Sequence, residues 1–143
     1  MEPRAFLQLA QQLSNKTTCE ASLRTCISRS YYALFNLMVQ FVDKNIGGLS
    51  WTANDHKKIY RYFNNCGIED VEKIASDLND LRDDRNDSDY KLHLDRFKDQ
   101  TLVTFTFIKA RRAFNSFEEL LQNSKKRNQI VKAIREYKKI TNS

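Results

Sequence analysis

Apolar residues recur at helical spacing along almost the whole chain, and the polar breaks between them mark off a series of helices. Phe6, Leu7, Leu9, Ala10 and Leu13 predict a short first helix; Pro3 suits its first turn and the polar run Ser14-Asn15-Lys16 ends it. Thr17-Thr18-Cys19-Glu20 has the form of a capping box and opens a second helix of about 28 residues that runs to Ile46 and stops at Gly47-Gly48. On it Leu23, Ile27, Tyr31, Leu34, Met38 and Phe41 form one stripe, and Tyr32, Phe35, Val39 and Val42 form another. A helix apolar on so much of its circumference belongs at the centre of a bundle or at a subunit seam.

The loop 47–54 carries the only tryptophan, Trp51, and Asn54 or Asp55 is placed to cap a short third helix with His56, Ile59, Tyr60 and Phe63 on one face. Asn64, Asn65 and Gly67 end it. The fourth helix begins near Glu69 with acids in its first turn, and its stripe Val71, Ile74, Leu78 and Leu81 continues onto Arg85. A guanidinium cannot shed its charge, so Arg85 must find a partner or a wet cleft. The fifth helix carries Val103, Phe107, Ala110, Phe114, Phe117 and Leu121; residues 102–107 alternate like a strand but have no partner strand in the chain, so they read as helix. Beyond Ser124 a last amphipathic segment has Ile130, Val131, Ile134 and Tyr137 on one side and bases on the other. It reads as a frayed, solvated helix, with contact to nucleic acid or to an acidic partner as the other two readings.

Composition narrows the class. With 143 residues, three Gly and one Pro, the chain fits one globular domain and lacks the turn residues an all-β fold needs. The expectation is all-α: an up-and-down bundle of four to five helices over residues 1–124, followed by a basic C-terminal helix over 125–143. No run is apolar enough for a spanning helix and the N-terminus has no signal-peptide pattern, so a cytoplasmic protein away from the membrane is expected. Cys19 and Cys26 lie about 10 Å apart along a helix axis, too far to bridge, so the cysteines read as thiols. His56, Cys66 and His93 have no metal-ligand spacing, so neither metal nor cofactor is expected.

The formal charge of +6 sits in one place. Residues 1–124 balance 17 Lys and Arg against 17 Asp and Glu, and Lys125, Lys126, Arg127, Lys132, Arg135, Lys138 and Lys139 face only Glu136 in the last segment. Residues 69–89, with nine acids and three bases, would repel a phosphate backbone, so any nucleic acid is held elsewhere or by selected arginines.

Two words carry chemistry. Ser28-Arg29-Ser30-Tyr31-Tyr32-Ala33-Leu34-Phe35 lies on the long second helix, and Leu81-Arg82-Asp83-Asp84-Arg85-Asn86-Asp87-Ser88-Asp89-Tyr90 ends the fourth. In this order and separation they resemble the HEPN family of small helical-bundle proteins, over roughly residues 3–122. The resemblance implies a homodimer associated with RNA, nucleotides or a small nucleotidyltransferase, in the manner of a toxin and antitoxin pair. It places Arg29, Tyr32, Arg85, Asn86, Asp89 and Tyr90 in a binding site, and makes the Tyr90 hydroxyl a candidate acceptor for a nucleotidyl group. In the ribonuclease branch of that family an Arg, followed by a polar residue, precedes a His with four to six residues between them. Arg85 and Asn86 match the first two positions, Tyr90 stands where the nearest His would be, and His93 falls just beyond the range. A Tyr of pKa about 10 is a poor base at neutral pH, so the leading expectation is a noncatalytic binding module. The alternatives are a metal-independent ribonuclease with Arg85 and His93 as catalytic residues, and a structural adaptor dimer. In the structural reading Arg85 pairs with Asp89, Arg29 reaches the same carboxylate, a hydroxyl of Tyr31 or Tyr32 completes the network, and His56 is a partly buried helix residue.

Overall fold

The structure, a computed structural model, describes residues 1–16 and 19–142, and every regular element among them is helical apart from turns. In chain order these are α1 (Arg4–Lys16), α2 (Glu20–Asn45), α3 (Asn54–Asn64), α4 (Glu69–Tyr90), a single 3-10 turn (Arg96–Lys98), α5 (Gln100–Gln122) and α6 (Ser124–Thr141). They form a packed helical bundle around α2, which contacts α1, α3, α4 and α5. Among the described residues no helix is long and apolar enough to cross a membrane.

Both apolar stripes of α2 are covered within one chain: Tyr31, Leu34 and Met38 are fully buried, and so, nearly, are Phe35 and Val39. The breadth of that stripe therefore reflects a central helix, and gives no reason to seek a second copy against it. One part of the core joins α2 to α3, α4, α5 and α6, with Phe41, Phe63 and Phe117 meeting edge to face or tilted at 5.4–6.1 Å between ring centres. The other part joins α1, α2 and α5 around Leu7, Ile27, Phe97 and Phe107.

The helix ends follow local chemistry. Ile46 and Gly47 both donate to Val42 O at the end of α2, and Gly47 takes the left-handed backbone (φ 80°) that favours glycine there. Thr17 and Thr18 of the expected capping box lie outside the described residues; Cys19 precedes α2 and Glu20 pairs with Arg24 one turn on. Asp99 caps α5 by accepting from the N–H groups of Thr101 and Leu102, which settles 102–107 as helix. Neither Asn54 nor Asp55 caps α3. Ala53 holds the cap position, and buried Asp55 turns back to accept from Ser50 N–H (2.9 Å), Ser50 Oγ (2.7 Å) and Trp51 N–H (2.7 Å).

The last segment is also different from its expectation. α6 is capped by Asn123 Oδ1 and buries Ile130 and Ile134 in the core, with the Tyr137 ring edge-on to Tyr62, so it is a packed wall of the bundle and not a frayed tail. Its apolar face is short but complete enough to dock.

Arg24 fixes the end of α4. Buried on α2, it donates to Ser88 O and Leu94 O at 2.8 Å and to Lys91 O and Leu92 O at 3.3 Å, supplying the cation that the last turn of α4 lacks. Arg96, from the 3-10 turn, adds ion pairs to Asp84 and Asp87. These ties hold the end of α4 against α2 and the 3-10 turn.

Candidate functional site

Arg85 lies where the stripe of α4 meets Tyr31 and Tyr32 of α2. Its side chain is only 12% exposed, and most of its partners are neutral: Nη2 donates to Tyr32 Oη at 2.5 Å and Nη1 to Asn86 Oδ1 at 2.6 Å. The nearest carboxylate oxygen, from Asp89, is 3.7 Å from Nε, and that buried Nε has no hydrogen-bond partner among the described residues. The guanidinium carbon lies 5.1 Å from the Tyr32 ring centre, 5.7 Å from Tyr31 and 5.9 Å from Tyr90. Aromatic faces and amide oxygens soften the burial of a cation but do not neutralise it.

Arg29 does not reach Asp89. It donates to Ser28 Oγ and stacks on Phe6 and on Tyr32, at 5.2 Å from the Tyr32 ring, so the Tyr32 ring has a guanidinium of α2 and one of α4 within 5.2 Å. The buried Nε of Arg29 also lacks a hydrogen-bond partner among the described residues.

Two further residues join the cluster. His56, in the first turn of α3, stacks on Phe35 at 4.2 Å and 10°, and its Nδ1 is hydrogen-bonded to the Tyr31 hydroxyl. Half-burial holds the imidazole below its ordinary pKa of 6.5, and Arg82 and Arg85 push in the same direction against the weaker pull of Asp55. Arg82, half-buried on α4, has no ion pair among the described residues. Burial raises the Tyr31 phenol far above its ordinary value, so it keeps its proton.

The site is thus Arg29, Tyr31 and Tyr32 from α2, His56 from α3, and Arg82, Arg85 and Asn86 from α4, with Asp89 as a loosely held acid at its edge. Tyr90 is 74% exposed beside it, and His93 is exposed in the turn after α4 without a hydrogen bond or ion pair to the cluster. Of the residues named from sequence, Arg29, Tyr32, Arg85, Asn86 and Asp89 come together, Tyr90 borders them, and His93 does not join. Sequence reading missed Arg82 and the place of His56. Arg82 was legible as the i−3 neighbour of Arg85 on the same helix face; His56 was not, because its partners come from another helix.

The chemistry on offer is that of an anion site: up to three guanidiniums, one loosely opposed carboxylate, and hydroxyl and amide groups for orientation. Among the described residues no three His, Cys, Asp or Glu side chains gather with metal-binding geometry. A separate groove of about 1260 Å³ between α4 and α5, lined by Asp77, Phe105, Arg112 and Glu119, shares no residue with the cluster. Compared with family models, with curated proteins and with solved structures, the chain matches none.

Proposed function

We propose that this chain is a HEPN-type module that binds RNA or a nucleotide by seating a phosphate against Arg85 and Arg82. The observation that carries this reading is the excess of positive charge at a nearly buried position: among the described residues Arg85 and Arg29 each keep an Nε without a hydrogen bond, Asp89 opposes Arg85 alone, at 3.7 Å, and Arg29 forms no ion pair. A phosphate oxygen would satisfy those donors and relieve the repulsion between guanidiniums, an interaction stronger than one between exposed charges. Arg85→Ala should lower the affinity for AMP or a short oligoribonucleotide at least tenfold while shifting the melting temperature little. Unchanged affinity together with a clear loss of melting temperature would mean that the cluster serves architecture alone.

One observation favours a second reading, metal-independent ribonuclease activity: the base missing from α4 is matched in space by His56 of α3. This reading requires the tautomer in which Nδ1–H donates to the Tyr31 oxygen, which leaves the lone pair of Nε2 to take a proton. His56 would take the proton of a ribose 2′-hydroxyl as its oxygen attacks phosphorus, the bond to the 5′-oxygen would break, and that oxygen would take a proton from water, leaving a 2′,3′-cyclic phosphate. Cleavage in EDTA that His56→Gln abolishes and His93→Ala spares is the result this reading requires.

The homodimer and the nucleotidyltransferase partner belong to the same proposal through the family resemblance. Since α2 is covered, the seam we propose is the end of α4, where Tyr90 and Leu92 are 74% and 73% exposed next to the cluster.

A further inference from the structure

The loop between α2 and α3 places the only tryptophan on the surface in a conformation that has to be held. Trp51 has φ 58°, a left-handed backbone that bulky residues rarely adopt, and its indole side chain is left 67% exposed. What holds it is Asp55, through the three hydrogen bonds from Ser50 and Trp51. Those bonds, more than offsetting the burial, keep the Asp55 carboxyl below its ordinary pKa and therefore charged at neutral pH. A tryptophan that contributes little to the core is thus fixed outward by a buried acid.

Cations from two helices converge on the same loop. Lys58 of α3 donates to Gly48 O at 3.0 Å, and Arg135 of α6 donates to Asn45 O at 2.9 Å. Lys138 of α6 lies so close to Gly48 that a Cβ there would sit 2.8 Å from its Nζ. None of the seven cations of α6 forms an ion pair with a described residue, nor do Lys57, Lys58 and Arg61 of α3. Lys132, Arg135 and Lys139 line a groove of about 400 Å³ along α6. Ile130 and Ile134 are buried in the core and the one large apolar side chain that α6 exposes is Ile140, so the helix offers a lipid surface little apolar area and presents its bases on a fixed support.

We infer that Trp51 and the basic face of α6 form a docking surface for single-stranded RNA, with a base stacked on the indole and the backbone phosphates on Lys58, Lys132, Lys138 and Lys139. A polyanion complements a face where the cations outnumber the one exposed acid, Glu136, and form no ion pair with a described residue, and a held, exposed aromatic ring on the loop that Lys58 and Lys138 reach suits unpaired bases, whose flat faces a duplex hides. The surface is distinct from the arginine cluster and stands whether or not a phosphate enters there.

Trp51 is its own reporter. Titrating the full chain with a uridine 12-mer at about 50 mM salt should quench its fluorescence, with an affinity that falls steeply as salt rises. Lys132→Ala combined with Lys139→Ala should flatten the log–log salt slope by about 1.4, two single-strand phosphate contacts. Trp51→Ala, followed by anisotropy of a labelled 12-mer, should weaken binding about tenfold while Trp51→Phe retains most of it. Lys73→Ala, an exposed cation on the acidic α4, should leave affinity within twofold, and circular dichroism should show every variant folded. Absence of quenching at low salt, tighter binding of a duplex than of the single strand, or equal binding of phosphatidylserine vesicles with a blue shift of Trp51 would each overturn the inference.

Discussion

At the scale of single residues, His56 is where environment most changes chemistry. Its ring is stacked on Phe35 and hydrogen-bonded to Tyr31, with Arg82 and Arg85 from α4, Asp55 from α3 and Tyr32 from α2 as the other charged or titratable groups around it. Its pKa is depressed in the folded state, so between that value and the ordinary 6.5 the unfolded chain binds the extra proton. The stability that neutral His56 contributes is complete above 6.5 and is lost as the pH falls through the folded value. A bound phosphate acts oppositely, since negative charge at Arg85 favours the imidazolium. NMR titration, assigned with His93→Gln, should place the His56 midpoint below 6.5 and move it upward on adding phosphate; a midpoint unmoved at saturating phosphate would separate His56 from the anion site. Arg85 itself was legible from its place on the α4 stripe, and the structure adds which hydroxyl and which amide receive it.

At the scale of elements, α6 decides the question that charge left open. Seven bases in nineteen residues suggested a solvated extension, yet two isoleucines at i and i+4 and a tyrosine suffice to seat the helix on α3 and α5. Burying Ile130 and Ile134 stabilises the bundle by about 1.5–3 kcal/mol each, a sizeable share of a total of about 5–15 kcal/mol. Deleting 124–143 should therefore lower the melting temperature by roughly 10–20 °C or abolish cooperative unfolding, read by circular dichroism. A truncated chain that melts within a few degrees of the full one would return α6 to the status of an accessory. Charge runs are read easily and packing is not, because a helix needs few apolar residues to dock once the receiving surface exists.

At the scale of the whole molecule, the dimer we propose rests on the end of α4 and not on the covered α2. Light scattering at micromolar concentration should give twice the chain mass of 16.9 kDa, and Leu92→Asp should return the single-chain mass. The wild type at the single-chain mass would remove the dimer from the proposal while leaving the Arg85 cluster, built within one chain, as it is. The helical class and the positions of the helices were determined by sequence, because helical periodicity is a local property written along the chain, as is the neighbourhood of Arg85, Asn86 and Asp89 on one helix; that Arg29 and Tyr32 join them was expected only from the family resemblance. What only the tertiary structure decided is which helix covers which: that α2 is enclosed by its own chain, that Arg24 clamps the end of α4, that His56 rather than His93 stands beside Arg85, and that α6 brings its bases to the loop of Trp51. Each is a meeting of residues distant in sequence, fixed by the fit of whole helix faces, and no local pattern encodes that fit.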